Sequence, residues 1–199
     1  MNGFFRFVHR FFGPIFRFFH PVNMIGLEEL PRSGVLLCPN HSSNWDPVLL
    51  AVSLPIDYHL HIMAKAQLFR IPVVAWVFSK LGAFAVDRGG ADLNAIKTAM
   101  NSIKAGDNLL IFPEGTRVEQ EGDAPAKGGA AMIGVRTGAI LVPVSVGGKK
   151  RLFQPTNIVF GKPYTPVYTG RHGTAEELQK IADDLLHEAY ELGRAHPCR

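Results

Sequence analysis

The chain has few residues that could cross-link it: Cys38, in an apolar run, and Cys198, near the end, are the two cysteines among 199 residues. Two cysteines cannot build a disulfide framework, so a reducing location is the expectation. There is no run of about 18 uncharged apolar residues, which argues against a membrane-spanning helix. The first residues lack the separate charged and apolar regions of a secretory signal. No acid occurs before Glu28, and Arg6, Arg10 and Arg17 supply three of the four net positive charges. The remainder is near neutral, so no basic face suits nucleic acid. Also missing are a G-x-G-x-x-G, a Walker loop, a G-x-S-x-G turn and side chains at metal-ligand spacing; His59 and His61 share a strand face without further ligands. Nucleotide, serine-nucleophile and metal chemistry are disfavoured, and no cofactor is expected. No repeat or low-complexity linker divides the chain, whose length suits one domain.

What is in excess is phenylalanine, with eight of 14 before residue 20. Plotted at about 100° per residue, Asn2, Arg6, His9, Arg10, Gly13, Arg17 and His20 share one arc of roughly 120°. Every Phe, with Val8, Pro14 and Ile15, takes the remaining arc. Such a helix is expected to lie in a membrane interface, its rings toward acyl chains and its arginines near anionic headgroups. Residues 1–22 are therefore read as a membrane-association arm and residues 23–199 as an α/β domain. The competing reading is a terminal helix docked on the domain's own core.

Beyond the arm, strand-like apolar runs alternate with helical periodicity. Strands are predicted at 34–39, 59–64, 82–86, 108–112, 140–146 and 157–160; helices are predicted from Pro47, over 71–81, 93–103 and near 130–136. Asp46 suits the N-cap of the helix opening at Pro47, and 71–81 reads as mostly buried. Thr174 with Glu177 forms a capping box for a last helix, with Gly193 as its stop. The alternation predicts an α/β fold: a central mixed, largely parallel sheet flanked by helices.

Polar clusters follow the predicted strands, where open α/β sheets bind ligands. The first is Asn40-His41-Ser42-Ser43-Asn44-Trp45-Asp46. His41 and Asp46 would lie about 140° apart on a regular helix, so they meet only if the chain turns between strand and helix. If they meet, Asp46 can accept the Nδ1 proton of His41 and leave Nε2 as a base. Otherwise the loop is a helix cap with a solvated histidine. The second cluster is Phe112-Pro113-Glu114-Gly115-Thr116-Arg117, an Arg beside a Gly turn that suits phosphate, or else a surface turn. Lys65, Arg88 and Lys127 sit at further strand or loop ends. Each could be an ordinary solvated base, but one sheet edge would gather all three with Arg117.

Asn40-His41-x-Ser43-x-x-Asp46 followed by Phe112 to Arg117 resembles the signatures of the glycerolipid acyltransferases, closest to the bacterial 1-acyl-sn-glycerol-3-phosphate acyltransferases. Gly82 through Arg88 is similar to the block between them, and Val142-Pro143-Val144 to the fourth. The resemblance implies acyl transfer from acyl-CoA or acyl carrier protein to lysophosphatidic acid, giving phosphatidic acid. It implies His41 as general base and Asp46 as its orienting partner. Glu114, Gly115, Thr116 and Arg117 would bind the acceptor phosphate with Lys65 and Arg88, supported by Asn40, Ser43, Lys127 and Pro143. It also implies a peripheral position at the cytoplasmic face of the cell membrane, on an anionic lipid surface. Ile71 to Phe78 is either the lining of an acyl-chain tunnel or buried core. Other acceptors (glycerol-3-phosphate or another lysophospholipid), a non-catalytic lipid-binding protein and a thioesterase are the alternatives.

Overall fold

The structure is a computed structural model describing residues 3–87, 92–147 and 150–198. Seven strands are present: β1 (Val22–Ile25), β2 (Val35–Pro39), β3 (Leu60–Lys65), β4 (Ala83–Val86), β5 (Asn108–Leu110), β6 (Ile140–Val146) and β7 (Thr156–Phe160). The helices are α1 (Gly3–Phe19), α2 (Asp46–Ser53), α3 (Pro72–Lys80), α4 (Leu93–Lys104), α5 (Gly129–Thr137) and α6 (Ala175–Ala195). The strands form one sheet in the order β1-β7-β6-β2-β5-β3-β4. Strands β2 to β6 are mutually parallel, β7 is antiparallel to β6, and β1 runs with β7. The sheet is thus mixed and largely parallel, as the alternation of elements predicts.

Strand β2 shows why its sequence is a continuous apolar run. Leu36 and Cys38 pack with Ala99, Ile103, Ile133 and Leu185 from α4, α5 and α6. Val35 and Leu37 pack on the opposite face with Leu49 and Leu50 from α2. A strand covered by helices on both sides has no solvent face to mark with polar residues. The parallel arrangement brings the carboxyl ends of β2, β3, β4, β5 and β6 to one edge. His41, Lys65, the Phe112–Arg117 loop and the chain after Val146 are therefore gathered there.

Four details depart from the sequence expectations. Strand β1, a short edge strand of four residues, opens at Val22, the last residue assigned to the arm. Asp46 is the first residue of α2 rather than its N-cap, which is Trp45, and its carboxylate turns back into the preceding loop. Helix α3 contains no fully buried residue; Val73 and Trp76 are 72% and 54% exposed, so it is neither core nor an enclosed tunnel wall. Gly193 lies within α6 and does not stop it. A Cβ there would fall 2.6 Å from Ser145 Oγ, so glycine lets the helix approach β6.

Helix α1 docks one face on the domain and leaves the other exposed. Phe5, Gly13 and His20 are buried, and with His9 and Phe16 they form one stripe against the domain. His9 Nε2 lies 3.0 Å from the Leu54 carbonyl oxygen, and the Phe16 and His20 rings both flank Trp45. His9, Gly13 and His20 thus face the protein rather than headgroups. Arg6, Arg10 and Arg17 stay outside, beside exposed Phe7, Phe11, Phe12, Phe18 and Phe19. Among the described residues, no helix is long and apolar enough to cross a membrane.

Candidate active site

The loop leaving β2 turns sharply enough to bring His41 back onto Asp46. The Asp46 N–H donates to the Ser43 carbonyl at 3.1 Å, and Ser43 Oγ accepts from the Trp45 N–H at 3.3 Å. Asp46 Oδ2 accepts from the N–H groups of Ser42 and Ser43 at 2.8 and 2.7 Å and lies 3.0 Å from His41 Nδ1. Burial alone would raise the Asp46 carboxyl. The His41 ring, the Lys150 ammonium and the Ser43 N–H outweigh it and hold the group below its ordinary value. An ionised carboxylate only accepts, so the hydrogen belongs on Nδ1 of His41 and Nε2 is left bare. Nε2 has no hydrogen-bond partner among the described residues.

The Phe112–Arg117 loop holds His41 from the other side. Glu114 Oε2 accepts from the His41 N–H at 2.7 Å, the Val118 N–H donates to the His41 carbonyl at 2.9 Å, and the Phe112 ring stacks on the imidazole at 3.9 Å. Glu114 is 1% exposed, and its second oxygen accepts from the Tyr190 hydroxyl of α6. Burial pushes its carboxyl above the usual range. Both oxygens are thus turned inward, so Glu114 braces the His41 loop, and neither oxygen faces outward toward the acceptor phosphate that sequence reading assigned to it.

The cations assigned to the same phosphate lie at the strand and loop ends of this edge. Arg117 and Thr116 are exposed on the same loop; Lys65 is exposed at the end of β3. Gly115 has φ +65°, and a Cβ there would lie 2.9 Å from the Lys127 side chain, which runs across the bare backbone. The Lys127 N–H donates to the Pro113 carbonyl at 2.8 Å, tying its segment to the loop. Lys65, Arg117 and Lys127 make no ion pair among the described residues. Arg88 lies outside the described residues. Pro143, buried in β6, faces Cys38 across the strand pair. Asn40 Oδ1 accepts from the Val146 N–H at 2.8 Å, joining the histidine loop to β6.

Two residues of the cluster escaped sequence reading. Lys150 lies 2.9 Å from Asp46 Oδ1 with its side chain 3% exposed. The rule that flagged bases after other strands would have reached it through Lys149-Lys150-Arg151, which follows β6. Tyr190 carried no such signal, being one aromatic on a long amphipathic helix. A cavity of about 490 Å³ adjoins the loop, lined by Met63, Ile96, Ile111 and Leu178 together with Gly115 and Lys127.

The model of the family described as Acyltransferase matches residues 21–147. The chain belongs to the acyltransferase family. It is 32% identical over 177 residues to the 1-acyl-sn-glycerol-3-phosphate acyltransferase of Bacillus subtilis, covering 86% of this chain and 87% of that protein. It is 34% identical over 134 residues to the enzyme of the same name from Streptococcus pneumoniae, covering 67% of this chain but 48% of that protein. The fold is similar to the crystal structure of the 1-acyl-sn-glycerophosphate acyltransferase of Thermotoga maritima, with a TM-score of 0.72 and 26% identity. That match covers 98% of this chain and 81% of the other.

Proposed function

We propose that this acyltransferase acylates the sn-2 hydroxyl of 1-acyl-sn-glycerol-3-phosphate from acyl-CoA or acyl carrier protein, giving phosphatidic acid. The observation that carries the chemistry is the bare Nε2 of a histidine whose Nδ1 sits 3.0 Å from a buried carboxylate. The acceptor hydroxyl gives its proton to Nε2 as its oxygen bonds to the thioester carbonyl carbon. The C–S bond then breaks, and the departing thiolate takes the proton from the imidazolium, which Asp46 stabilises meanwhile. No acyl-enzyme is required, in keeping with the missing nucleophile turn.

Lys65, Arg117 and Lys127, uncommitted to other groups among the described residues, are suited to the acceptor phosphate, and Arg88 belongs to the same assignment. Each charge-assisted hydrogen bond contributes about 1.5–3 kcal/mol. Thr116 and the Gly115 backbone border this phosphate region, while Asn40, Ser43 and Pro143 act through the loops they brace. The apolar cavity suits an acyl chain. The membrane side of the reading rests on the outer face of α1 together with Trp76 and Phe153. Trp76 packs edge-on to Phe4 at 4.9 Å and Phe153 on Phe18 and Phe19 at 5.9 and 5.5 Å, so the exposed rings extend beyond the arm. With Arg6, Arg10 and Arg17 beside them, these rings fit a peripheral position on anionic lipid at the cytoplasmic face.

The test is thiol release from acyl-CoA, and separately from an acyl carrier protein thioester, with and without lysophosphatidic acid. Release that requires the lysolipid, yields phosphatidic acid and falls about a hundredfold or more in His41→Ala is expected. Release without any acceptor would instead mark a thioesterase. Inertness with both donors would favour another acceptor or a lipid-binding role.

A further inference from the structure

We infer that Lys150 is a positioning residue of the acyl-transfer reaction, compensating Asp46 so that His41 stays unprotonated and ready to accept the hydroxyl proton. The inference rests on the dyad chemistry proposed above. Lysine is almost never buried unless paired, yet this side chain is 3% exposed and its partner Asp46 is fully covered. Its ammonium lies 2.9 Å from Asp46 Oδ1, an ion contact outside hydrogen-bond alignment, and donates to Ser42 Oγ at 2.7 Å and the Val146 carbonyl at 3.2 Å. With its donors directed to the protein, it is not a further phosphate ligand. Asn40 completes the arrangement by accepting from the N–H of the same Val146. That contact fixes the strand end on which the ammonium rests.

The charge count explains the need for it. With a neutral imidazole, Asp46 and Lys150 cancel. Without Lys150, the buried carboxylate has one remaining route to compensation, a proton on the dyad, and that proton removes the base. The other groups around the pair do not substitute for the ammonium. Glu114, from the loop after β5, is itself a carboxyl and is paired with Tyr190 of α6. Asp123 adds a further acidic influence on Glu114. Just after α1, His20 meets Trp45 in a tilted ring contact. The serine N–H groups contribute dipoles but no net charge.

The experiment follows the His41 ring by NMR in the full chain across pH, beside the pH profile of kcat/KM for acyl transfer. Wild type is compared with Lys150→Met, Lys150→Gln and Lys150→Arg. In the two neutral variants the dyad is expected to take up its proton about one pH unit or more higher. The acid limb of kcat/KM should move by the same interval and activity should return at alkaline pH. Lys150→Arg keeps the charge and should bring both curves back toward wild type. An unmoved ring titration with activity reduced equally at every pH would overturn the inference and leave Lys150 a packing role. Should wild type transfer no acyl group, the function proposal fails alone, because the ring titration still decides whether Lys150 sets the dyad's proton. Should Met fail to fold, Gln and Arg carry the comparison.

Discussion

The dyad loop, whose Trp45 meets Phe16 and His20 on the docking side of the arm, and the ring-bearing outer face are held by opposite means. Around His41 and Asp46 most polar atoms have a named partner, the two residues are 6% and 0% exposed, and one carboxylate oxygen gathers three contacts within 3.0 Å. On the outer face, Phe7, Phe11, Phe18, Val73 and Trp76 each exceed half exposure, and the rings meet in pairs of broad geometry: Phe7 with Phe11, Phe18 with Phe19 and Trp76 with Phe4. The first region concentrates its free energy in directional, desolvated bonds, where removing one atom leaves others unpaired. The second spreads its free energy over area, where rings contribute roughly in proportion to what they bury. The contrast predicts steep, assay-independent losses from the first region and graded, lipid-dependent losses from the second.

The largest effect is expected from Asp46→Asn. It exposes Lys150 to an unpaired buried state and removes the charge that stabilises the imidazolium. Activity should fall by about 10²–10⁴-fold, equally on vesicles and in detergent; a loss confined to vesicles would break the contrast. The substitution also carries a pH signature. Because the folded Asp46 carboxyl lies below its unfolded value, its charge contributes stability that is present above about pH 4 and lost as pH falls through the folded value. The stability gap between wild type and Asp46→Asn should therefore narrow on acidification, as read by denaturant midpoints.

Next in size is the outer face of α1. Removing the whole arm would uncover the stripe of Phe5, His9, Gly13, Phe16 and His20 and so confound membrane binding with folding. Phe7, Phe11 and Phe18 lie outside that stripe, and their joint change to Ser leaves it intact. Binding to anionic vesicles, measured by sedimentation, should drop about tenfold or more, since even partial burial of each ring contributes a fraction of about 1.5–3 kcal/mol. Turnover of detergent-dispersed acceptor should stay near wild type. Equal loss in both assays would mean these rings serve the fold.

How much could be read from the sequence differs between the two regions for the same reason. The His41 and Phe112 motifs were legible because their chemistry needs fixed residue types at fixed short spacing, and the strand–helix alternation put both at one sheet edge. The direction of the Glu114 side chain was not, because adjacency to Arg117 does not show which way a carboxylate points. Lys150 and Tyr190 come from distant segments that only the fold unites with the dyad. Helix α3 reads as core because a helix apolar all round usually is buried. A helical wheel separates polar from apolar residues on α1, but it does not reveal that His9, Gly13 and His20 are the side on which the helix docks.

The smallest effect separates surface chemistry from backbone strain at one residue. Phe153 is the non-glycine residue with positive φ among the described residues, at 61°, and its N–H donates to the Phe19 carbonyl at 2.7 Å. A bulky side chain in that conformation costs about 1–2 kcal/mol. An exposed ring held at such a cost, against Phe18 and Phe19, is consistent with selection for what the ring touches outside the protein. Phe153→Ala and Phe153→Gly both delete the ring, but only glycine relieves the backbone. The two variants should lose vesicle binding equally, while Phe153→Gly should be the more stable by about 1 kcal/mol in denaturant unfolding. If the glycine variant were no more stable, the strain would be absent and the ring's position would need no external explanation. If vesicle binding were unchanged in both, Phe153 would drop out of the proposed lipid-facing surface, leaving α1 and Trp76 to carry that proposal.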